Sequence, residues 1–250
     1  MAGAYQRAHE FALYFPNSTQ HAVLKELVIT DKELAHRIDR VLRLKQGESF
    51  VLFDRDSNLH VRIDAIERKT VTLSILSSEK NKRYVPHITY LLPLLKKDAL
   101  SDAIYYLVET GVNEIRLIAA DNQHRSWAKE RDMDRLKRVA VAAAEQSKYF
   151  AFPEIHAPVS YNEALSVLPS DALRIYAHPD GQACKEIVSG QIPDHIVLTS
   201  GPEADLSPEE KEQLERASFH SMRLTPTILR AETAALCISS LFRTFFTNHI

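Results

Sequence analysis

The feature that most constrains this chain is a change of hydrophobic pattern at Pro86. Beyond it, apolar runs with β-forming residues recur at 88–95, 114–119, 173–177 and 195–199, interleaved with helical segments. Parallel strands need crossovers of about a dozen residues or more, usually helical, so the alternation predicts an α/β domain: a mainly parallel sheet covered on both faces. Two of the segments are amphipathic at helical spacing, one through Leu100, Ile104, Leu107 and Val108, the other through Leu136, Val139, Ala140 and Ala143. Ser207, Pro208, Glu209 and Glu210 mark a helix start, with a serine cap, proline at the first helical position and glutamate at the third. The Ala- and Leu-rich stretch 233–246 predicts a closing helix, preceded by the polar Arg230-Ala231-Glu232.

Ahead of Pro86 the pattern is shorter-ranged. Runs at 49–53, 60–66 and 70–75 predict an antiparallel meander, with polar 54–58 as its first turn. Asp31 is placed to cap a helix carrying Leu34, Ile38, Val41 and Leu42, with Gly47 as its end. The charged stretch 78–83 before Pro86 reads as a linker, which divides the chain into a domain over 1–80 and a larger one over 86–250.

Charge narrows the functional classes. With a formal net charge of -2, the chain is not held on nucleic acid by bulk electrostatics, so any such contact is local. Residues 1–86 carry 14 Lys/Arg against 11 Asp/Glu, net +3, and residues 87–250 carry 17 against 22, net -5, which makes the N-terminal part the candidate to face any nucleic acid. Cys184 and Cys237 lack CxxC or His-paired spacing, so no disulfide framework or metal site is implied. No apolar run of membrane-spanning length and no signal-peptide core is present, and the expected location is the cytoplasm.

In an open α/β sheet, ligands bind outside the carboxyl ends of the strands. Three loops in such positions hold turn formers: Ala177-His178-Pro179-Asp180-Gly181, Ser200-Gly201-Pro202-Glu203-Ala204-Asp205 and Leu224-Thr225-Pro226-Thr227-Ile228-Leu229-Arg230. They suit a site built largely from backbone amides and carbonyls. The chain has no P-loop, GxGxxG, HExxH or nucleophile elbow, which removes the common nucleotide-hydrolysing, dinucleotide-binding, metalloprotease and α/β-hydrolase readings.

A set of short segments in register carries a resemblance. His36-Arg37-Ile38-Asp39-Arg40-Val41-Leu42-Arg43-Leu44 is followed by Gly47 and Leu52-Phe53-Asp54. Glu109-Thr110-Gly111-Val112 leads to Ile115, His124-Arg125-Ser126, Ala144-Glu145-Gln146-Ser147 and Pro153. Gly201-Pro202-Glu203 and Ile228-Leu229-Arg230-Ala231-Glu232-Thr233-Ala234 complete the set. In this order the chain resembles the RsmE family of ribosomal RNA uridine-N3 methyltransferases. The resemblance implies an N-terminal PUA-like RNA-binding β-barrel and a C-terminal SPOUT domain closed by a deep trefoil knot, a rare exception to ordinary chain topology. It further implies a homodimer acting on small-subunit (16S) ribosomal RNA, with S-adenosyl-L-methionine as cofactor and no metal.

Residue by residue, it implies cofactor contacts from His178, Leu198, Thr199, Ser200, Gly201, Pro202, Glu203, Leu224, Ile228, Leu229 and Thr233. Arg230 and Glu232 are the catalytic candidates. Arg37, Arg40 and Arg43, at three-residue spacing on one helix, are the RNA-backbone candidates. Arg125, with Glu145 and Gln146, is expected to shape the substrate pocket. The chain departs from the family at Ala204 and Asp205, where two glycines are usual, and at Thr225, Thr227 and Ala231, which stand for glycine, arginine and threonine. Tyr106, Tyr149 and Ala151 likewise replace basic residues. Two alternatives stand beside this reading: an RNA-binding protein that keeps the fold with an impaired cofactor site, and a SPOUT methyltransferase with another RNA target.

Overall fold

The computed structural model describes residues 10–119, 129–187 and 193–247, and the chain forms two compact units, residues 1–82 and 83–250. In the first unit β1 (Ala12–Tyr14), β2 (Glu26–Ile29), β3 (Ser49–Phe53), β4 (Ser57–Ile66) and β5 (Val71–Lys80) make a sheet of order β1-β3-β4-β5-β2. The meander β3-β4-β5 is antiparallel, with β1 parallel to β3 and β2 antiparallel to β5. Strand β2 shows the period-2 rule at its plainest: Leu27 and Ile29 are buried while Glu26 and Val28 face out. Leu13, Phe50, Leu52, Leu59, Val61, Ile63 and Leu73 join them in one core.

Three expectations for this unit need correction. The helix capped by Asp31, whose Oδ1 accepts from Leu34 N at 2.7 Å, is α1 (Lys32–His36), and it passes into a π-helical turn over Arg37–Val41 instead of running on to Gly47. Arg43, at φ 56, takes the left-handed position usual for a glycine after a helix, and Leu44 N returns to Ile38 O at 3.1 Å. Gly47, at φ 89, serves the turn into β3. Ser57 and Asn58 start β4 because Asp54 tightens the turn, its Oδ1 accepting from Asp56 N and Ser57 N, both at 2.8 Å. Residues Ser78, Glu79 and Lys80 pair in β5 with Leu59, Asn58 and Ser57, so the linker is shorter than its composition suggests.

The second unit holds a six-stranded sheet in which every pairing is parallel. Its strands are β6 (His87–Pro93), β7 (Glu114–Ile118), β8 (Glu154–Val159), β9 (Leu173–Ala183), β10 (His195–Ser200) and β11 (His220–Arg223), in the order β11-β9-β10-β6-β7-β8. The helices are α2 (Lys97–Glu109), α3 (Lys129–Ser147), α4 (Tyr161–Ser166), α5 (Cys184–Ile187), α6 (Pro208–Arg216) and α7 (Ala231–Thr247). Central β6 and β10 are buried along nearly their whole length, as strands covered on both faces must be. Helix α2 stops at Gly111, whose φ of 75 lets Val112 N reach Leu107 O at 3.0 Å; a Cβ there would lie 2.8 Å from the Tyr84 ring. Helix α6 begins as Ser207 and Glu210 foretell, with a complete capping box. Among the described residues, no helix is long and apolar enough to cross a membrane.

One loop expectation is overturned here. His178, Pro179, Asp180 and Gly181 belong to β9, which extends past them and pairs with β11 across a register shift. Gly181 permits this: a Cβ would meet the Met222 backbone at 2.6 Å.

Candidate active site

Sheet order fixes where a ligand can enter. Chain connection runs from β6 outward through β7 to β8 on one side, and β10, β9 and β11 lie on the other, so the direction of winding reverses between β6 and β10. Helices packing away from each other leave a crevice beyond the carboxyl ends at such a switch point. A cleft of about 780 Å³ lies there, within the size range of small-molecule sites. Four segments line it, those following β6, β10 and β11 and the part of β9 from Ala177 to Pro179.

The loop after β10 is the most tightly built. Ser200 is buried, and its Oγ pairs with the Tyr90 hydroxyl at 2.8 Å; burial raises the Tyr90 pKa, so the phenol stays protonated. Gly201 follows against the returning loop, where a Cβ would sit 3.0 Å from Asp205 Oδ1 and 3.3 Å from Leu206 N. Glu203 Oε1 accepts the Lys96 amide at 3.0 Å and so ties this loop to the start of α2, whose N-cap has no side-chain partner of its own. Asp205 stands at φ 65, and its amide donates to Pro202 O at 3.0 Å. Burial pushes its carboxyl upward, but the hydrogen bond from Lys211, the Leu206 amide and the nearby charges of Lys211 and His178 outweigh it and hold it below the ordinary value.

The loop after β11 closes the cleft. Thr225 Oγ1 donates to Thr227 O at 2.7 Å, so the two threonines at departure positions lock one turn to each other. Ile228 is 88% exposed and Leu229 half-buried at the mouth. Arg230 is exposed just before α7, its carbonyl accepting from Ala234 N at 2.8 Å, and Glu232 is half-buried in the first turn, where the helix dipole favours a carboxylate.

Of the residues named from sequence, the cleft brings together His178, Ser200, Gly201, Pro202, Glu203, Leu224, Ile228, Leu229, Arg230 and Glu232. Leu198 and Thr199 are instead fully buried in the sheet, Thr199 Oγ1 donating to Leu91 O at 2.7 Å, and Thr233 is half-buried outside the lining. Gln146 is exposed in the last turn of α3, with Glu145 half-buried beside it, and Arg125 lies outside the described residues. In the first unit Arg37 is half-buried and Arg40 exposed on the π-helical turn, Arg40 pairing with Asp39 at 2.8 Å. Arg43 has left the helix, so the three arginines do not form one helical stripe.

Sequence reasoning missed the fourth segment, which contributes Lys96, Lys97, Asp98, Ala99 and Asp102. The rule that picked the other loops, a position just after a strand, applies to it equally. It escaped notice because it has no glycine or proline beyond Pro93 and reads as the start of a helix. Among the described residues, no cluster of three or more His, Cys, Asp and Glu could hold a metal ion.

This architecture has known counterparts. The family model for the RNA methyltransferase domain matches residues 81–243. The ribosomal RNA small subunit methyltransferase E of Mesomycoplasma hyopneumoniae is 27% identical over 214 residues, covering 84% of this chain and 90% of its own. Among solved structures, a ribosomal RNA small subunit methyltransferase E from Neisseria gonorrhoeae, bound to S-adenosyl methionine, superposes with a TM-score of 0.84 at 22% identity over 95% of this chain and 98% of its own. A probable rRNA-methyltransferase from Porphyromonas gingivalis reaches 0.79 at 26% identity, over 96% of this chain and all of its own. The resemblance carried by those sequence segments is therefore borne out, and the chain belongs to the RNA methyltransferase domain family, among the RsmE-type enzymes.

Proposed function

We propose that this enzyme methylates uridine N3 in small-subunit ribosomal RNA, using S-adenosyl-L-methionine bound in the cleft between β6 and β10. The observation that carries the reading is the convergence, at the sheet's switch point, of the Gly201-Pro202-Glu203 loop with the segment that presents Arg230 and Glu232. The residues fit such a cofactor. Backbone comes close at Gly201, where a side chain would crowd the loop; Pro202, Leu224, Ile228 and Leu229 offer apolar surface, and the adjoining amides and carbonyls offer hydrogen bonds.

When bound, the cofactor supplies a methyl group activated by a sulfonium. The chain's own residues then have two tasks. The N3 proton must leave as the nitrogen attacks, and Glu232 receives it. Arg230, beside it at the head of α7, stabilises the negative charge that spreads over the uracil as N3–H breaks. Positioning by the loops after β10 and β11 supplies the remainder.

The finer architecture follows the same reading: residues 1–82 form a PUA-like RNA-binding barrel, and residues 83–250 a SPOUT domain whose last segment is threaded into the trefoil knot. Exposed Arg40 and Arg43 support an RNA-facing first unit. Leu241 and Phe245, one helical turn apart on α7, are 37% and 48% exposed, an apolar face that a second copy would cover in a homodimer. A ribosomal RNA substrate supports a cytoplasmic location. Titration calorimetry with S-adenosylhomocysteine, together with mapping of methyl groups on small-subunit RNA from cells lacking the gene, tests the proposal. Micromolar binding and one missing N3-methyluridine support it; no binding, or an unchanged RNA, sinks it.

A further inference from the structure

Asp205, standing where the family resemblance implies a glycine, does more in the structure than fill space. Asp205 occupies a left-handed backbone conformation, φ 65, which glycine adopts freely and few other residues tolerate. Its side chain makes two bonds that no glycine could make: Oδ1 accepts from Leu206 N at 2.8 Å, and Oδ2 pairs with Lys211 Nζ at 2.9 Å. The same Oδ1 lies beside Gly201 at the other end of the loop, 3.0 Å from where a Cβ would be. Lys211 sits on α6, which is fixed by its capping box and by fully buried Leu214. Asp205 also lines the cleft.

We infer that Asp205 and Lys211 form a latch that holds the cofactor loop in its receptive shape, making Asp205 a positioning residue. The inference rests on the reading of the cleft as an S-adenosylmethionine site. Glycine would relax the backbone demand but leave the loop free to visit other conformations, and ordering it would then draw on binding energy. The unexpected consequence is that restoring the family residue weakens binding instead of improving it.

The test is calorimetric titration of S-adenosylhomocysteine into the parent protein, Asp205→Gly, Lys211→Met, Lys211→Arg and the Asp205→Gly, Lys211→Met double variant. Asp205→Gly and Lys211→Met each weaken binding by about three- to tenfold, and the double variant is no weaker than the worse single, because both changes break the same device. Lys211→Arg restores binding to within about twofold. Raising salt from about 0.05 to about 0.5 M weakens the parent but leaves Lys211→Met unmoved, a response that a purely structural role for Lys211 would not produce. Lys211 is partly exposed, so its removal leaves the fold intact even if Asp205→Gly does not fold. A parent that binds with Asp205→Gly as tight or tighter overturns the latch alone, and so does a Lys211→Met variant that binds like the parent. A parent that does not bind overturns the cofactor reading, and the latch with it.

Discussion

Glu114 offers a sharp test of what holds the catalytic sheet together. It opens β7 at the amino edge of the sheet, opposite the cleft, and its side chain is 19% exposed. Its carboxylate meets Arg116 at 2.6 Å, His156 at 2.8 Å, the Thr89 hydroxyl at 3.1 Å and His87 at 3.7 Å, so one acid gathers groups from β6, β7 and β8. Burial acts to raise its pKa, yet the His87 imidazole, the Arg116 charge, the Thr89 hydroxyl and His156 together bring it from the ordinary 4.5 down to about 2. At about 1.4 kcal/mol per pH unit, that fall corresponds to about 3 kcal/mol of folding stability. The folded value lies below the unfolded one, so this stability is fully present above pH 4.5 and lost as pH falls toward 2. In Glu114→Gln the neutral amide cannot reproduce the charge. Urea unfolding followed by circular dichroism at pH 5 is expected to show the variant about 3 kcal/mol less stable, the gap narrowing to about 1 kcal/mol near pH 3. A gap below about 1 kcal/mol at pH 5, or one that stays constant between pH 5 and pH 3, would refute the account.

The remaining predictions address the sheet edge, the chemistry and the RNA. Gly181→Ala drives a methyl into the Met222 backbone and is expected to cost about 1–3 kcal/mol, read as a lower thermal midpoint. Arg230→Ala and Glu232→Gln each lower kcat about 100-fold or more while S-adenosylhomocysteine affinity stays within about threefold; equal losses in both would mean that these residues shape the site and take no part in proton or charge transfer. Arg40→Ala with Arg43→Ala weakens RNA binding and reduces the salt slope by about one to two, measured by fluorescence anisotropy over a salt series; an unchanged slope removes both residues from the interface.

How much of this could be read in the sequence divides along a physical line. Local signals were legible: the capping box at Ser207 and Glu210, the apolar stripe of α2, and the central strands, which must be apolar throughout because both faces are covered. Long-range pairing was not. Strand β8 mixes Glu154, His156 and Pro158 with its apolar residues, and β11 buries only Met222, because edge strands have one neighbour and weak patterning. The extension of β9 through Pro179 and Gly181 is set by β11, forty residues farther on, and its own residues announce a turn. Arg43 hid the end of the first helix by taking the left-handed position that a glycine search assigned to Gly47.

Arg43 and Asp205 make the same point about backbone shape. In both places the fold demands a backbone shape, φ 56 and φ 65, and not a particular side chain. Glycine meets such a demand at no steric cost; a residue with a side chain meets it only if the surroundings supply compensating bonds. At Asp205 those bonds are present, to Leu206 N and Lys211 Nζ, and at the threonine departures the Thr225 hydroxyl closes its own turn on Thr227 O. A glycine lost from a motif is thus evidence of a ruined site only when nothing replaces its conformational freedom. The sequence shows an aspartate at 205 but not its bond to Lys211, six positions away on another element, and that bond joins a cleft-lining loop to α6.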